Sequence, residues 1–199
     1  MKKYAIALVA LGLATPALAQ DEPSISGPWV AALGGWDHVR LTDGSASGTK
    51  SGLTYGGAIG YDQDYGKVVL GVEGELSGSN VRDAASDDAG NFAELKAGRD
   101  LYAGLRLGFK VGPQTMFYGK VGYTNARANA TYTLGGTTDT ASGHLDGYRL
   151  GGGVQYTKGH MFGRLEYRYS DYGTWLYQGV STGLSTGRNQ VVAVAGYRF

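Results

Sequence analysis

A stretch near the carboxyl end of the chain places a charged side chain at every second position. Residues 162–172 read FGRLEYRYSDY, in which Arg164, Glu166 and Arg168 share one parity. Guanidinium and carboxylate groups that alternate in this way lie on one face of a strand, where they can pair with each other and with neighbouring strands. The chemistry that this spacing favours is charge pairing, either as a fixed polar core or as a gate of exchangeable ion pairs.

The other parity of the same stretch is apolar and carries Leu165, Tyr167 and Tyr169. A period of two indicates a β-strand with two chemically opposed faces. Eight segments of this kind follow one another, and each has about the ten residues that a tilted strand needs to cross a bilayer. The predicted strands are residues 29–39, 53–62, 67–78, 99–110, 115–126, 147–157, 161–172 and 189–199.

The connections between these segments alternate strictly between short and long. Three are short turns, at 63–66, 111–114 and 158–160, and four are long and polar, at 40–52, 79–98, 127–146 and 173–188. An up-and-down barrel with one plain rim and one elaborated rim has this pattern. We therefore predict an all-β fold, an eight-stranded antiparallel up-and-down transmembrane β-barrel with short periplasmic turns and long extracellular loops.

The two faces of the predicted strands suggest which side meets lipid. The apolar face carries no charge, and its aromatic residues cluster near the strand ends, as the two belts of a membrane barrel do. The first strand is ambiguous, and its neighbours favour Val30, Ala32 and Trp36 on the apolar face. A soluble lipocalin-like barrel would have the opposite orientation, but glycines alternating with Arg and Glu fit a narrow lumen better than a solvated surface.

The predicted lumen holds a set of charged side chains that should pair across the barrel, because an isolated buried charge is costly. An eight-stranded barrel is just wide enough for its own side chains to fill. We expect a closed pore and favour a structural network over an ion gate. The predicted network is Glu73, Glu75, Asp100, Arg106, Lys120, Arg149, Arg164, Glu166, Arg168 and Arg198.

The start of the chain predicts export. Lys2 and Lys3 precede a short apolar run, and Ala17 and Ala19 supply a small-x-small cleavage pattern, which together are typical of a Sec-type signal peptide. The sequence thus predicts a signal peptide at 1–19 and one barrel domain at 20–199. Loss of the two lysines changes the formal net charge from +1 to −1, a balance that gives no case for nucleic acid as a partner.

Few residues suggest catalysis or cofactor binding. The chain has no cysteine, which excludes disulfides, thiolate metal sites and lipoprotein acylation. The histidines are His38, His144 and His160, and no H-x-S pair accompanies them, so a Ser–His–carboxylate lipid A deacylase is disfavoured. The sequence predicts no metal site, no cofactor and no enzymatic activity.

Several motifs together resemble the small outer-membrane β-barrel family, the OmpA/OmpX-like and Opa or opacity-type porin-family proteins. They are GPWVAALGGW, LTYGGAIGYDQDYG, LYAGLRLGFKVGP, MFYGKVGYTNA, YRLGGGVQY, FGRLEYRYSDYG and VVAVAGYRF. The resemblance implies location in the cell outer membrane, among lipid and lipopolysaccharide. It also implies that Tyr197 and the terminal Phe199 form an assembly signal that the barrel-assembly machinery reads.

The function that we expect is structural, a barrel that contributes to envelope integrity with a closed, salt-bridged lumen. The main alternative is a surface adhesin or receptor that contacts a host or surface ligand through its loops. A lipid A-modifying enzyme and a small ion channel are the less favoured alternatives.

Overall fold

The computed structural model describes residues 25–43, 46–86, 92–134, 137–177 and 180–199. The predicted signal peptide at 1–19, with Ala17 and Ala19, lies outside the described residues. No helix in the described ranges is long and apolar enough to cross a membrane.

The described ranges form nine antiparallel strands that close into one barrel. Each strand pairs with the next except that β3 pairs with β5 instead of β4, and β1 pairs with β9 to close the barrel. The short β4 continues the line of β3 after a break at Asn80 and Val81, so the barrel has eight staves, as the sequence predicts. The strands are β1 (Gly27–Asp43), β2 (Ala46–Tyr65), β3 (Val68–Ser79), β4 (Arg82–Ser86), β5 (Phe92–Lys110), β6 (Thr115–Leu134), β7 (Thr137–Lys158), β8 (Met161–Tyr177) and β9 (Val180–Arg198).

The apolar face lies outside and the charged face lies inside. Trp36 and Leu105 are 67% and 62% exposed, whereas Arg149 and Glu166 are buried in the lumen. On β1 the residues that face outward are Val30, Ala32 and Trp36, which confirms the expected parity of this ambiguous strand. Because successive side chains of a strand point to opposite faces, this one choice of register fixes the orientation of every residue in the stave.

The strands run further than the sequence predicts, because most of each long connection is paired strand in the described residues. The strands run on as paired ribbons, so that the β1–β2 ladder ends at Asp43 and Ala46 and the β6–β7 ladder ends at Leu134 and Thr137. Polar residues rich in Thr continue a strand readily when its neighbour continues too, because the backbone groups still find partners. The sequence prediction stopped each strand where apolar alternation stopped, which marks the edge of the lipid-facing band and not the end of pairing.

These extensions form a crown, defined here as the paired residues of all staves beyond the β2–β3 pair Thr54–Ser79 and the β7–β8 pair Tyr148–Asp171. At those two seams neighbouring staves separate. The crown therefore consists of two four-stranded sheets, β8-β9-β1-β2 and β4-β5-β6-β7.

The opposite end, called here the turn rim, has tight connections. Gly66 and Gly159 occupy the β2–β3 and β7–β8 turns with φ of +83° and +59°, a region that glycine enters without steric cost. The predicted turn at 63–66 is shifted, because β2 continues to Tyr65. Both the start of β1 and Phe199 lie at this rim.

Apolar side chains fill part of the lumen near the turn rim, which the sequence prediction did not include. Trp29 packs edge-on against Phe162, with ring centroids 5.7 Å apart. Leu33, Val192 and Val194 complete this cluster. The turn-rim half of the lumen is thus a mixed core in which aromatic rings pack among the charged groups.

Room for these large side chains comes from glycines on the same face. A Cβ at Gly60 would lie 2.3 Å from Trp29 Cζ2 and 2.5 Å from the Val72 carbonyl oxygen. On the outward face of the same strand, a Cβ at Gly57 would lie 3.5 Å from its nearest neighbour, the Ala31 carbonyl oxygen. The barrel therefore requires glycine at Gly60, which faces the lumen, and tolerates a methyl group at Gly57, which faces outward.

We predict that Gly60→Ala lowers the free energy of unfolding by about 1–3 kcal/mol, the usual cost of overpacking a filled core. The matched variant Gly57→Ala should change it by less than about 1 kcal/mol. Urea titration of protein folded in lipid vesicles, followed by the gel mobility of folded and unfolded forms, measures both. Equal effects of the two substitutions would show that the lumen has spare room at Trp29.

Candidate functional site: the charged lumen

In the part of the chain that the structure describes, seven cations and six anions are buried in the lumen. We call this set the ion ladder. Its members are Asp37, Asp62, Glu73, Glu75, Asp100, Arg106, Lys120, Arg149, Arg164, Glu166, Arg168, Arg188 and Arg198.

The turn-rim end of the ion ladder is centred on one carboxylate. Asp62 Oδ2 accepts hydrogen bonds from Arg106 and, at 2.7 Å, from Arg198 Nη2. Arg106 Nη1 also donates to Gln155 Oε1 at 3.0 Å, and Arg164 Nε donates to the same oxygen at 2.8 Å. The neutral Gln155 amide therefore joins two guanidinium groups that would otherwise only repel each other.

Aromatic rings also stabilise Arg164. Its guanidinium carbon lies 4.2 Å from the Trp29 ring centroid and 4.4 Å from that of Phe162. Cation–π attraction of this kind is strongest where water is excluded. The apolar cluster near the turn rim thus offsets part of the positive charge that Asp62 does not neutralise.

The middle of the ladder is a group of alternating charges around a lysine. Lys120 Nζ lies 2.7 Å from Glu73 Oε1 and 2.8 Å from Glu166 Oε1. Glu73 also lies 3.6 Å from Arg164 Nη1, which links this group to the turn-rim end. Tyr118 donates its hydroxyl proton to Glu166 Oε2 at 2.7 Å, so both oxygens of that carboxylate are bonded.

From Glu166 the ladder continues towards the crown. Arg168 bridges Glu166 at 2.5 Å and Glu75 at 2.7 Å. Arg149 then bridges Glu75 at 3.2 Å and Asp100 Oδ2 at 2.5 Å. Each carboxylate in this part is shared between cations, so no charge depends on one partner alone.

The crown end of the ion ladder links the first strand, β1, to the last strand, β9. Arg188 Nη1 donates to Asp100 at 2.7 Å, and its Nε and Nη2 hold both oxygens of Asp37 at 2.7 and 2.6 Å. The two-pronged contact between Arg188 and Asp37 is the strong geometry for this pair. Thr124 and Tyr172 add hydroxyl donors to Asp100 at 2.6 and 2.8 Å.

The contacts join staves that are not neighbours in the barrel. Glu75 on β3 reaches Arg168 on β8, and Asp100 on β5 reaches Arg188 on β9, so both pairs cross the lumen. Such links fill the interior with fixed dipoles and hold opposite walls together. Chemically, the arrangement can pair charge and resist the passage of solutes.

The structure places all ten predicted network residues inside the barrel. The prediction omitted three further members, Asp37, Asp62 and Arg188. Asp62 shares its parity with Gly60, and Asp37 has the parity opposite to Trp36, so strict alternation would have found both. Arg188 shares the parity of Gln190 but fell in a segment predicted to be a loop.

The two residues of the predicted assembly signal lie exposed at the turn rim. Tyr197 stacks on His160, with ring centroids 5.4 Å apart, and meets Phe199 edge-on at 5.3 Å. The Phe199 backbone N–H donates to the Pro28 carbonyl oxygen at 3.0 Å. The last residue of the sequence is therefore tied to the first strand.

The strand register brings together one pair that sequence reasoning missed. His38 Nδ1 and Ser51 Oγ lie 2.8 Å apart on the outward face of β1 and β2, where the two residues are direct cross-strand partners. A search for H-x-S within one strand cannot detect such a pair. Asp37, the carboxylate next to His38 in sequence, points to the opposite face and binds Arg188.

Comparison with known proteins agrees with this architecture. The family model for the outer membrane protein beta-barrel domain matches residues 5–199. No curated protein matches the chain.

The solved structures that share the fold include the following two. Neisserial surface protein A (NspA) is 16% identical with a TM-score of 0.54, over 87% of this chain and 98% of that one. Ail, the attachment invasion locus protein of Yersinia pestis, is 12% identical with a TM-score of 0.52 in its complex with the heparin analogue sucrose octasulfate, over 87% of this chain and 100% of that one. Similarity at these identities demonstrates a shared fold alone.

We predict that Asp100→Asn destabilises the barrel by on the order of 3 kcal/mol, because Arg149 and Arg188 lose a buried counter-charge. The matched control is Asp64→Asn at the turn rim, whose partner Lys110 is partly exposed, and it should cost less than about 1 kcal/mol. Urea unfolding in lipid vesicles compares the two variants. If Asp100→Asn were as mild as the control, the crown end of the ladder would not contribute to stability.

Proposed function

Because the chain belongs to the outer membrane protein β-barrel family, we propose that it is a structural barrel that supports envelope integrity with its lumen closed. The protein resides in the outer membrane. In this proposal it is neither an enzyme nor an open channel. Its outward face contacts lipid and lipopolysaccharide, and Tyr197 and Phe199 are the signal for the barrel-assembly machinery.

The observation that carries this proposal is the ion ladder. Its thirteen members are buried, and each is within 4.0 Å of an opposite charge. An ion entering the lumen would have to displace a paired group in a medium of low dielectric constant, which is costly. A conducting pore instead needs groups that bind ions weakly and release them.

We predict that the purified protein, reconstituted in a planar bilayer, gives no large and stable conductance. An open porin prepared in the same detergent is the positive control for insertion and recording. A stable current from the protein itself, in samples that show the heat-dependent gel shift of a folded barrel, would contradict the closed-lumen proposal.

The crown favours a second candidate, a surface module that binds a ligand. Its two four-stranded sheets stand beyond the part of the barrel that the ion ladder fills. Ail, which shares the fold, was solved in complex with a heparin analogue. A sulfated polysaccharide is therefore a reasonable first probe for this chain.

One ribbon-shortened variant separates the two candidates. Replacing residues 128–143 with Asn-Gly joins the paired residues Arg127 and His144 through a two-residue hairpin turn. In a strain lacking the protein, we expect this variant to restore the outer-membrane barrier to a hydrophobic dye as well as the wild type does, and wild-type cells not to retain heparin. Heparin retention by wild-type cells that the shortened variant abolishes would favour the binding function, whereas loss of the barrier would contradict the proposal that the barrel without this ribbon supports envelope integrity.

The enzymatic alternative is less well supported. His38 and Ser51 supply two members of a hydrolytic triad, but the carboxylate of Asp37 is held in the lumen by Arg188. A serine activated by an imidazole needs the third group to orient that ring and a site for the developing oxyanion. The pair is more simply a cross-strand hydrogen bond in the crown.

A further inference from the structure

Ile25 and Ser26, the described residues that precede β1, do not lead straight out of the barrel but turn into its mouth at the turn rim. Ile25 is only 1% exposed. It packs against Val69, Met116 and Tyr118, which project into the lumen from β3 and β6. Because β1 neighbours β2 and β9, Ile25 reaches across the mouth to the opposite wall.

Hydrogen bonds to two different staves hold this segment in place. Arg198 on β9 donates from Nη1 to the Ile25 carbonyl oxygen and, at 3.4 Å, to that of Gly27. The backbone N–H of Asp64 on β2 donates to Ser26 Oγ at 3.0 Å. Neither Ile25 nor Ser26 belongs to a strand ladder, since the first registered pair of β1 joins Gly27 to Asp62.

The bend that directs Ile25 inward occurs at a glycine. Gly27 has a φ of +120°, and a Cβ there would lie 2.9 Å from the Phe199 carbonyl oxygen. A residue with a side chain would be strained by this φ and would also contact the end of β9. The inward path of the segment therefore depends on glycine at this position.

We propose that residues 25–26 form a plug that closes the turn-rim mouth and can leave it without breaking any pair of the barrel ladders, which begin at Gly27. The proposal builds on the closed lumen proposed above, and it adds a second barrier in series with the ion ladder. Withdrawal of the plug exposes the turn-rim half of the lumen, including Met116 and Tyr118, to water and small solutes. The ion ladder still closes the middle of the barrel.

The absence of cysteine from the sequence makes a direct test possible. Met116→Cys introduces one thiol behind Ile25, and a small charged methanethiosulfonate reagent reports its accessibility in refolded, micelle-bound protein. With the plug intact we expect slow labelling. Adding Ile25→Gly removes the apolar side chain of the plug, and adding Gly27→Ala disturbs the bend that directs the plug inward. Each addition should raise the labelling rate at least tenfold.

Two matched variants in the Met116→Cys background complete the design. Ile25→Leu keeps a large apolar side chain in the plug, and Gly34→Ala adds a methyl group on β1 where the nearest atom is 4.0 Å away. Both should label as slowly as the parent. A mobility shift of the unboiled sample shows that every variant is folded. Because Ile25→Gly alters the side chain of the plug and Gly27→Ala alters its bend, the two variants test the plug independently.

Rapid labelling with Ile25 and Gly27 intact, or continued protection in both plug variants, would overturn the plug proposal. Conductance recorded from the same preparations distinguishes this failure from failure of the closed-lumen proposal. A large current from the parent contradicts the closed lumen, whereas a wrong plug assignment leaves the parent without current and changes only the labelling pattern.

Discussion

The structure depends on charge neutralisation inside a barrel too narrow for bulk water. Thirteen ionised side chains are buried in one lumen, and any of them left unpaired would cost several kcal/mol or more. Sharing solves this problem: Asp62 serves Arg106 and Arg198, and Asp100 serves Arg149 and Arg188. A shared carboxylate stays compensated by its second cation when one contact lengthens, which the carboxylate of an isolated pair would not.

The apolar composition of the outer surface follows from its contact with lipid instead of water. Leu105, Tyr123 and Val121 are about as exposed as residues of a soluble protein's surface, and in lipid that exposure carries no hydrophobic penalty. Burial of apolar area therefore contributes less to holding this barrel together than it would in water. The strand ladders and the lumen contacts, including the packing of Trp29 against Phe162 and of Ile25 against Met116, contribute correspondingly more.

Alternation in the sequence was enough to predict the stave count, the closed order of strands and the orientation of the faces. The outward facing of Val30 and Trp36 followed from their neighbours, because one residue fixes the parity of a whole strand. Alternation is less informative where the apolar signal fades, so it predicts neither the crown ribbons nor the inward position of Arg188. Particular partners such as Glu75 and Arg168 could not be predicted, because 93 residues separate them and only the three-dimensional register brings them together. The inward turn at Gly27 depends on the finished mouth and leaves no periodic pattern.

In the described residues, the two seams of the crown separate two plates whose strands form no ladder pairs with each other. One plate is anchored on β8, β9, β1 and β2, and the other on β4 to β7. An insertion or substitution in one plate thus leaves the pairing of the other intact. The sequence of either plate can therefore change separately while the strand pairing of the membrane-embedded wall stays the same.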